Sequence, residues 1–105
     1  MSGIDSAQRT EALDYVSQAL MALEKVQIRW RRYADTTPFA NAAEPVDMIL
    51  RTAKNILTRP TDAHLADAAR MLPGVIMALR KIRRDELLVV IEKTQAAYEA
   101  VFNRQ

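Results

Sequence analysis

Seven apolar residues, Ala12, Val16, Ala19, Leu23, Val26, Trp30 and Tyr33, follow one another at steps of 4, 3, 4, 3, 4 and 3. A strand shows a step of two. This pattern puts every member on one side of an α-helix through three heptads. Leu13 and Leu20 widen one flank. The stripe is then broad enough for a helical bundle rather than a bare two-helix seam. The spacing predicts a first helix from about Ser6 to Ala34. Asp5 with Gln8 three residues on forms a D-x-x-Q capping box at its start. Asp35-Thr36-Thr37-Pro38 ends it, because the residue before Pro is pushed out of the α region.

Composition points the same way. Among 105 residues there are seventeen alanines and two glycines, a balance that favours helix. Half of the chain is apolar, which suits one globular domain, residues 1–105. No apolar run approaches the ~20 residues of a membrane helix. The opening residues Met1-Ser2-Gly3-Ile4-Asp5 lack the basic and apolar blocks of a secretory leader. A soluble, cytoplasmic protein is the expectation.

A loop is expected over 35–44, with Phe39 plugging one end of the core. Asn41 and Glu44 read as an N-x-x-E box, and Pro45 suits a first helical turn. A second helix follows to about Thr58, with the stripe Val46, Ile49, Leu50, Ala53, Ile56 and Leu57. Thr61 can cap a third, shorter helix ending near Leu72. Pro73-Gly74 reads as a breaker. From Val75 to Phe102 the chain is helical, but its apolar direction shifts by roughly 80–90° across Arg83–Glu86 at 100° per residue. A kink or break is expected there, with Asp85 as a new cap. The prediction is an all-α bundle of four helices, or five if the last pair breaks. The first helix should lie antiparallel to the last, with a short middle pair closing the bundle.

Catalytic equipment is sparse. With Gly3 and Gly74 as the only glycines, neither a phosphate-binding loop nor a dinucleotide fingerprint can form. No cysteine is present, which excludes disulfides, thiol catalysis and thiolate metal sites. His64, the single histidine, has Asp67 on the same helix face. That pair is half a metal site and suits a surface histidine better. The H-x-x-K-G pattern of histidine phosphotransfer domains is absent, since Asp67 and Ala68 stand at those positions. Asp85 and Glu86 are neighbours, which point apart on a helix. The second and third helices could form a helix-turn-helix, but Asp62 and Asp67 would face the DNA. The expectation is no enzyme, no cofactor and no metal.

Charge is segregated. Residues 1–24 carry −3, 25–35 carry +3, 36–79 are neutral, 80–84 carry +4 and 85–105 carry −2, for a net +2. The two basic clusters are Arg29-Trp30-Arg31-Arg32-Tyr33 and Arg80-Lys81-Ile82-Arg83-Arg84. They complement helix C-termini, or they track phosphates. Meanwhile residues 87–102 are apolar over an arc too wide for one buried face. Two readings result. The first is a non-catalytic protein-binding module, such as a small adaptor, regulator or stoichiometric inhibitor, able to homodimerise. Its interface is Leu88, Ile91, Tyr98 and Phe102, rimmed by Arg80, Lys81 and Arg84. The second is nucleic-acid binding through Arg29, Arg32, Arg80, Lys81, Arg83 and Arg84. No membrane partner is expected.

Overall fold

The computed structural model describes residues 2–59 and 62–102. Four α-helices follow one another: α1 Ser2–Arg31, α2 Thr37–Leu57, α3 Asp62–Ile82 and α4 Leu88–Phe102. A single 3-10 turn, Asp85–Leu87, precedes α4. The described residues contain no strand. The all-α bundle expected from the heptad seam is therefore what forms.

Short connections force consecutive helices to run antiparallel, up-down-up-down. α1 packs against α2 and α4, and α3 packs against the same two. At one end, Gln8 Nε2 donates to the Val101 carbonyl oxygen at 3.3 Å. At the other, Trp30 Nε1 donates to Glu86 Oε2 at 3.2 Å. These two contacts fix α1 antiparallel to α4 along its length. The bundle measures 51 × 21 × 17 Å.

The core sits on the predicted stripes. Ala12, Val16, Ala19, Leu23 and Trp30 are buried on α1, and Val46, Leu50, Ala53 and Leu57 on α2. Leu65, Ala68, Leu72, Val75 and Leu79 fill α3's share, with Leu87, Val90, Ala97 and Ala100 from the last segment. Alanine on each helix lets the backbones approach closely, and leucines from neighbours fill the space between. Among the described residues, two polar ones are buried, both with partners. Gln27 Nε2 donates to the Ala40 carbonyl oxygen, and Thr94 Oγ1 to that of Val90.

Several boundaries differ from the sequence reading. Asp5 lies inside α1 rather than capping it, and Gln8 bonds across to α4. α1 ends at Arg31, not Ala34, and Tyr33 leaves the seam to become 60% exposed. Two threonines cause the early stop. Thr36 Oγ1 donates to the Trp30 carbonyl oxygen at 2.6 Å, and Thr37 Oγ1 to that of Tyr33 at 2.8 Å. The same carbonyls accept backbone N–H groups of the turn, Tyr33 onto Trp30 and Thr36 and Thr37 onto Tyr33, so the turn is bonded without continuing the helix.

α2 then begins at Thr37, well before the expected Pro45, with Pro38 in its first turn. Proline is favoured there because its missing N–H would be unpaired in any case. Asn41 and Glu44 are helix interior, not a cap, and Glu44 instead pairs with Arg31 at 3.3 Å. Phe39 packs on the core from α2 rather than from a loop. Pro45 sits inside α2, and Pro73 with Gly74 inside α3. The middle helices are thus 21 residues each, not short. The expected break does occur after Ile82, with Arg84 rather than Asp85 at the cap position. The proposed Thr61 cap lies outside the described residues.

Candidate functional site

Four helix ends meet at one pole of the bundle. The α1–α2 turn, the α3–α4 connection and the start of α4 all lie there, as the antiparallel order requires. The two basic clusters, about fifty residues apart in sequence, are brought together as a result.

Trp30 organises this pole. It is buried and tilts against Phe39 with ring centroids 5.8 Å apart. The Arg84 guanidinium lies 4.7 Å from the Phe39 centroid and 5.9 Å from that of Trp30. Glu86 accepts from Arg84 Nε at 3.2 Å and Nη2 at 2.8 Å, as well as from the Trp30 N–H. The Arg84 hydrogen bonds, the Glu86 backbone N–H and the Trp30 N–H hold the Glu86 carboxyl down at about 2. A carboxyl lowered in the folded state adds stability that is complete above its ordinary value near 4.5 and is lost as pH falls through the folded value. Urea midpoints of the native chain should therefore fall between pH 4.5 and pH 2. Glu86→Gln should flatten that part of the profile while leaving the chain less stable at pH 7. An unchanged acid limb in the variant would count against the pairing.

Of the three cations expected at the protein interface, Arg84 is thus held within the chain. Lys81 borders a groove between α2 and α3 with Pro38, Phe39, Ala42 and Ile82. It stands five residues beyond Ile76, about 140° further round the helix. Arg80 alone stays in line with Pro73 and Met77 on the α4 side, at steps of four and three.

The apolar interface residues do share a face. Leu88 is 60% exposed, Phe102 is exposed, and Ile91 and Tyr98 are half-buried. The Tyr98 and Phe102 rings lie 5.0 Å apart. Across from them on α3, Pro73, Ile76 and Met77 line a shallow furrow with Gln95 and Tyr98. Met77, 62% exposed, has no separate mark in the sequence because it stands in the continuous apolar run Val75-Ile76-Met77-Ala78-Leu79. A second furrow runs between α1 and α4, with Met21, Val26 and Val89 below Lys25, Arg29 and Lys93.

No group of three or more metal-ligating side chains occurs among the described residues. Asp67, paired in sequence with His64, forms an ion pair with Arg70 at 3.3 Å. No described helix is long and apolar enough to cross a membrane. Comparisons with protein-family models, with curated proteins and with solved structures find no match for this chain.

Proposed function

We propose that this chain is a non-catalytic protein-binding module that acts through its α3–α4 face, and that the occupant of that face is a second copy of the chain. The observation that carries the reading is the strip formed by Met77, Leu88, Ile91, Tyr98 and Phe102 on two adjacent helices. A strip of this kind at a helix pair, with an aromatic pair at one end, suits an interface centre.

Charge argues for self-association. Arg80 stands at one end of the strip, and Glu92 and Glu99 are exposed along α4. A two-fold axis through the middle of α4 reverses the second copy, so that its Glu99 approaches Arg80 of the first. Leu88 of each copy then meets the Tyr98–Phe102 pair of the other. The leucine-to-phenylalanine span along α4 is about 21 Å at 1.5 Å per residue, which the reversed copy matches by symmetry. Adaptor, regulator and stoichiometric inhibitor are roles such a module can serve.

Light scattering coupled to size exclusion tests this. The expected mass is twice the 11.9 kDa of one chain, falling towards one chain on dilution. Leu88→Glu should shift the assembly to monomer at about 200 μM without loss of helical content, since Leu88 adds little to the core. A native chain that stays monomeric at that concentration overturns the proposal.

A further inference from the structure

Nine described lysines and arginines form no ion pair within 4 Å: Lys25, Arg29, Arg32, Lys54, Arg59, Arg80, Lys81, Arg83 and Lys93, while Arg31, Arg51, Arg70 and Arg84 are paired. Their distribution is uneven. Lys54 and Arg59 lie at the far end of α2. The other seven gather at the Trp30 pole or lead down from it. Arg29, Arg32, Arg80, Lys81 and Arg83 are exposed at the pole, and Lys25 and Lys93 flank the furrow that descends from Arg29. Among the described residues four carboxylates share the pole: Asp35, Glu44, Asp85 and Glu86. Glu44 and Glu86 are already engaged by Arg31 and Arg84.

Arg83 gives a second, independent observation. Its φ is +58°, and it is the one described non-glycine residue in the left-handed region. It follows the last residue of α3, and its N–H bonds to the Arg80 carbonyl oxygen at 3.2 Å. This is the position where a helix ordinarily takes glycine. An L-residue there is strained by contact between its Cβ and the backbone. Arginine brings that strain, and its side chain is exposed with no ion pair among the described residues to repay it. Strain held at an exposed, charged position points to use of the side chain outside the fold.

Tyr33 adds an aromatic surface. It is pushed out of the α1 seam into the same pole, next to Arg32. We infer that the pole binds the phosphate backbone of single-stranded nucleic acid, with Arg29, Arg32, Lys81 and Arg83 meeting phosphates and Tyr33 stacking on a base. Three of the four cations are arginines, whose planar forks match phosphate oxygens. The pole offers loops and helix ends on a cross-section of 21 × 17 Å. It presents no helix that could lie in a duplex groove. A flexible strand with splayed bases fits such a cap, because stacking and backbone contacts need no fixed helix geometry. The strip reaches this end of the bundle at Arg80 and Leu88, but Arg29, Arg32, Lys81, Arg83 and Tyr33 are not among its residues, so the inference does not rest on dimerisation.

The test is fluorescence anisotropy with a labelled twenty-nucleotide thymidine oligomer. Micromolar binding is expected at 50 mM salt, and about 50-fold weaker binding at 200 mM, as four phosphate contacts on a single strand predict. Arg29→Ala with Arg32→Ala should weaken binding about tenfold or more and reduce the salt slope by about 1.4. Lys54→Ala with Arg59→Ala removes the same charge from the far end and should leave affinity within about twofold. Arg83→Gly is the sharpest arm. It should weaken binding about 3- to 10-fold while raising the melting temperature by about 3–5 °C. A far-end double variant as weak as the pole variant would show general charge attraction and overturn the site. Equal or tighter binding of a duplex, or of polyglutamate, would overturn the single-stranded ligand. An Arg83→Gly chain that binds unchanged would overturn the role given to that residue.

Discussion

Replacing Trp30 with alanine should cost about 3–5 kcal/mol of folding free energy, the range for truncating a large buried aromatic. Three structural elements depend on that side chain. It is 1% exposed, so nearly its whole ring is packed. Phe39 of α2 rests against it, and Arg84 covers it from the α3–α4 connection. Its N–H also fixes Glu86. Alanine would leave a cavity where α1, α2 and the start of α4 converge, and Glu86 would lose one donor. Trp30→Phe separates these effects. It keeps most of the ring and removes the donor, so a loss of about 1–2 kcal/mol is expected, mainly the unpaired bond. Guanidinium unfolding followed by circular dichroism is the appropriate measurement, because Trp30 is the only tryptophan. A domain of this kind has about 5–15 kcal/mol in total. The substitution should therefore remove roughly a third to a half of a total near the middle of that range. A loss below about 1 kcal/mol would show that the pole is not an organised part of the core.

The core was legible in the sequence because burial follows helical spacing. Ala12, Val16, Ala19, Leu23 and Trp30 are buried as the 4–3 steps require, and Leu50, Leu72 and Leu79 likewise. Spacing fails where a helix stops for reasons outside the pattern. Tyr33 satisfies the steps, yet Thr36 and Thr37 hydroxyls end α1 before it. A pattern of apolar residues carries no information about which carbonyl a threonine will take. Prolines misled in the opposite direction. Pro38 starts a helix, while Pro45 and Pro73 are tolerated inside helices. Both lie on exposed faces, where the ring avoids the packed interior and water can reach the backbone opposite it.

The candidate surfaces were legible only in pieces. The strip of Leu88, Ile91, Tyr98 and Phe102 lies on one helix, so a helical wheel places it. Its continuation through Met77 crosses to α3, and no local pattern joins two helices. The basic clusters show the converse. Each was visible as a run of charge, but their meeting depends on the antiparallel order of four helices. Arg84 and Lys81 illustrate how finely this divides neighbours. Arg84 turns inward onto Trp30 and Phe39, whereas Lys81 borders the α2–α3 groove. The left-handed backbone at Arg83 has no sequence mark at all, since glycine would be the residue expected there.

Replacing Pro73 and Gly74 together with alanine should stabilise the chain by about 1.5–3 kcal/mol, the opposite sign to most substitutions. Both residues lie in the middle of α3, and both are exposed. Alanine at 73 supplies the N–H that proline lacks and removes the ring from the preceding turn. Alanine at 74 lowers the entropy of the unfolded chain. A Cβ there meets nothing within 4 Å, and the glycine φ is not positive, so no strain opposes it. The gain falls short of the full proline penalty of about 3 kcal/mol because Pro73 is exposed, where water can reach the carbonyl it leaves unpaired. The expected rise in melting temperature is about 6–15 °C. Pro73 also borders the furrow with Met77 and Tyr98, so the substitution tests the docking face as well. If the Pro73 ring is part of the surface that receives a second copy, the stabilised variant should dimerise more weakly than the native chain. Equal stability of variant and native chain would mean that the interruption of α3 costs nothing. In that case the penalty that made Pro73-Gly74 read as a break would have to be offset by contacts within the helix's own surroundings.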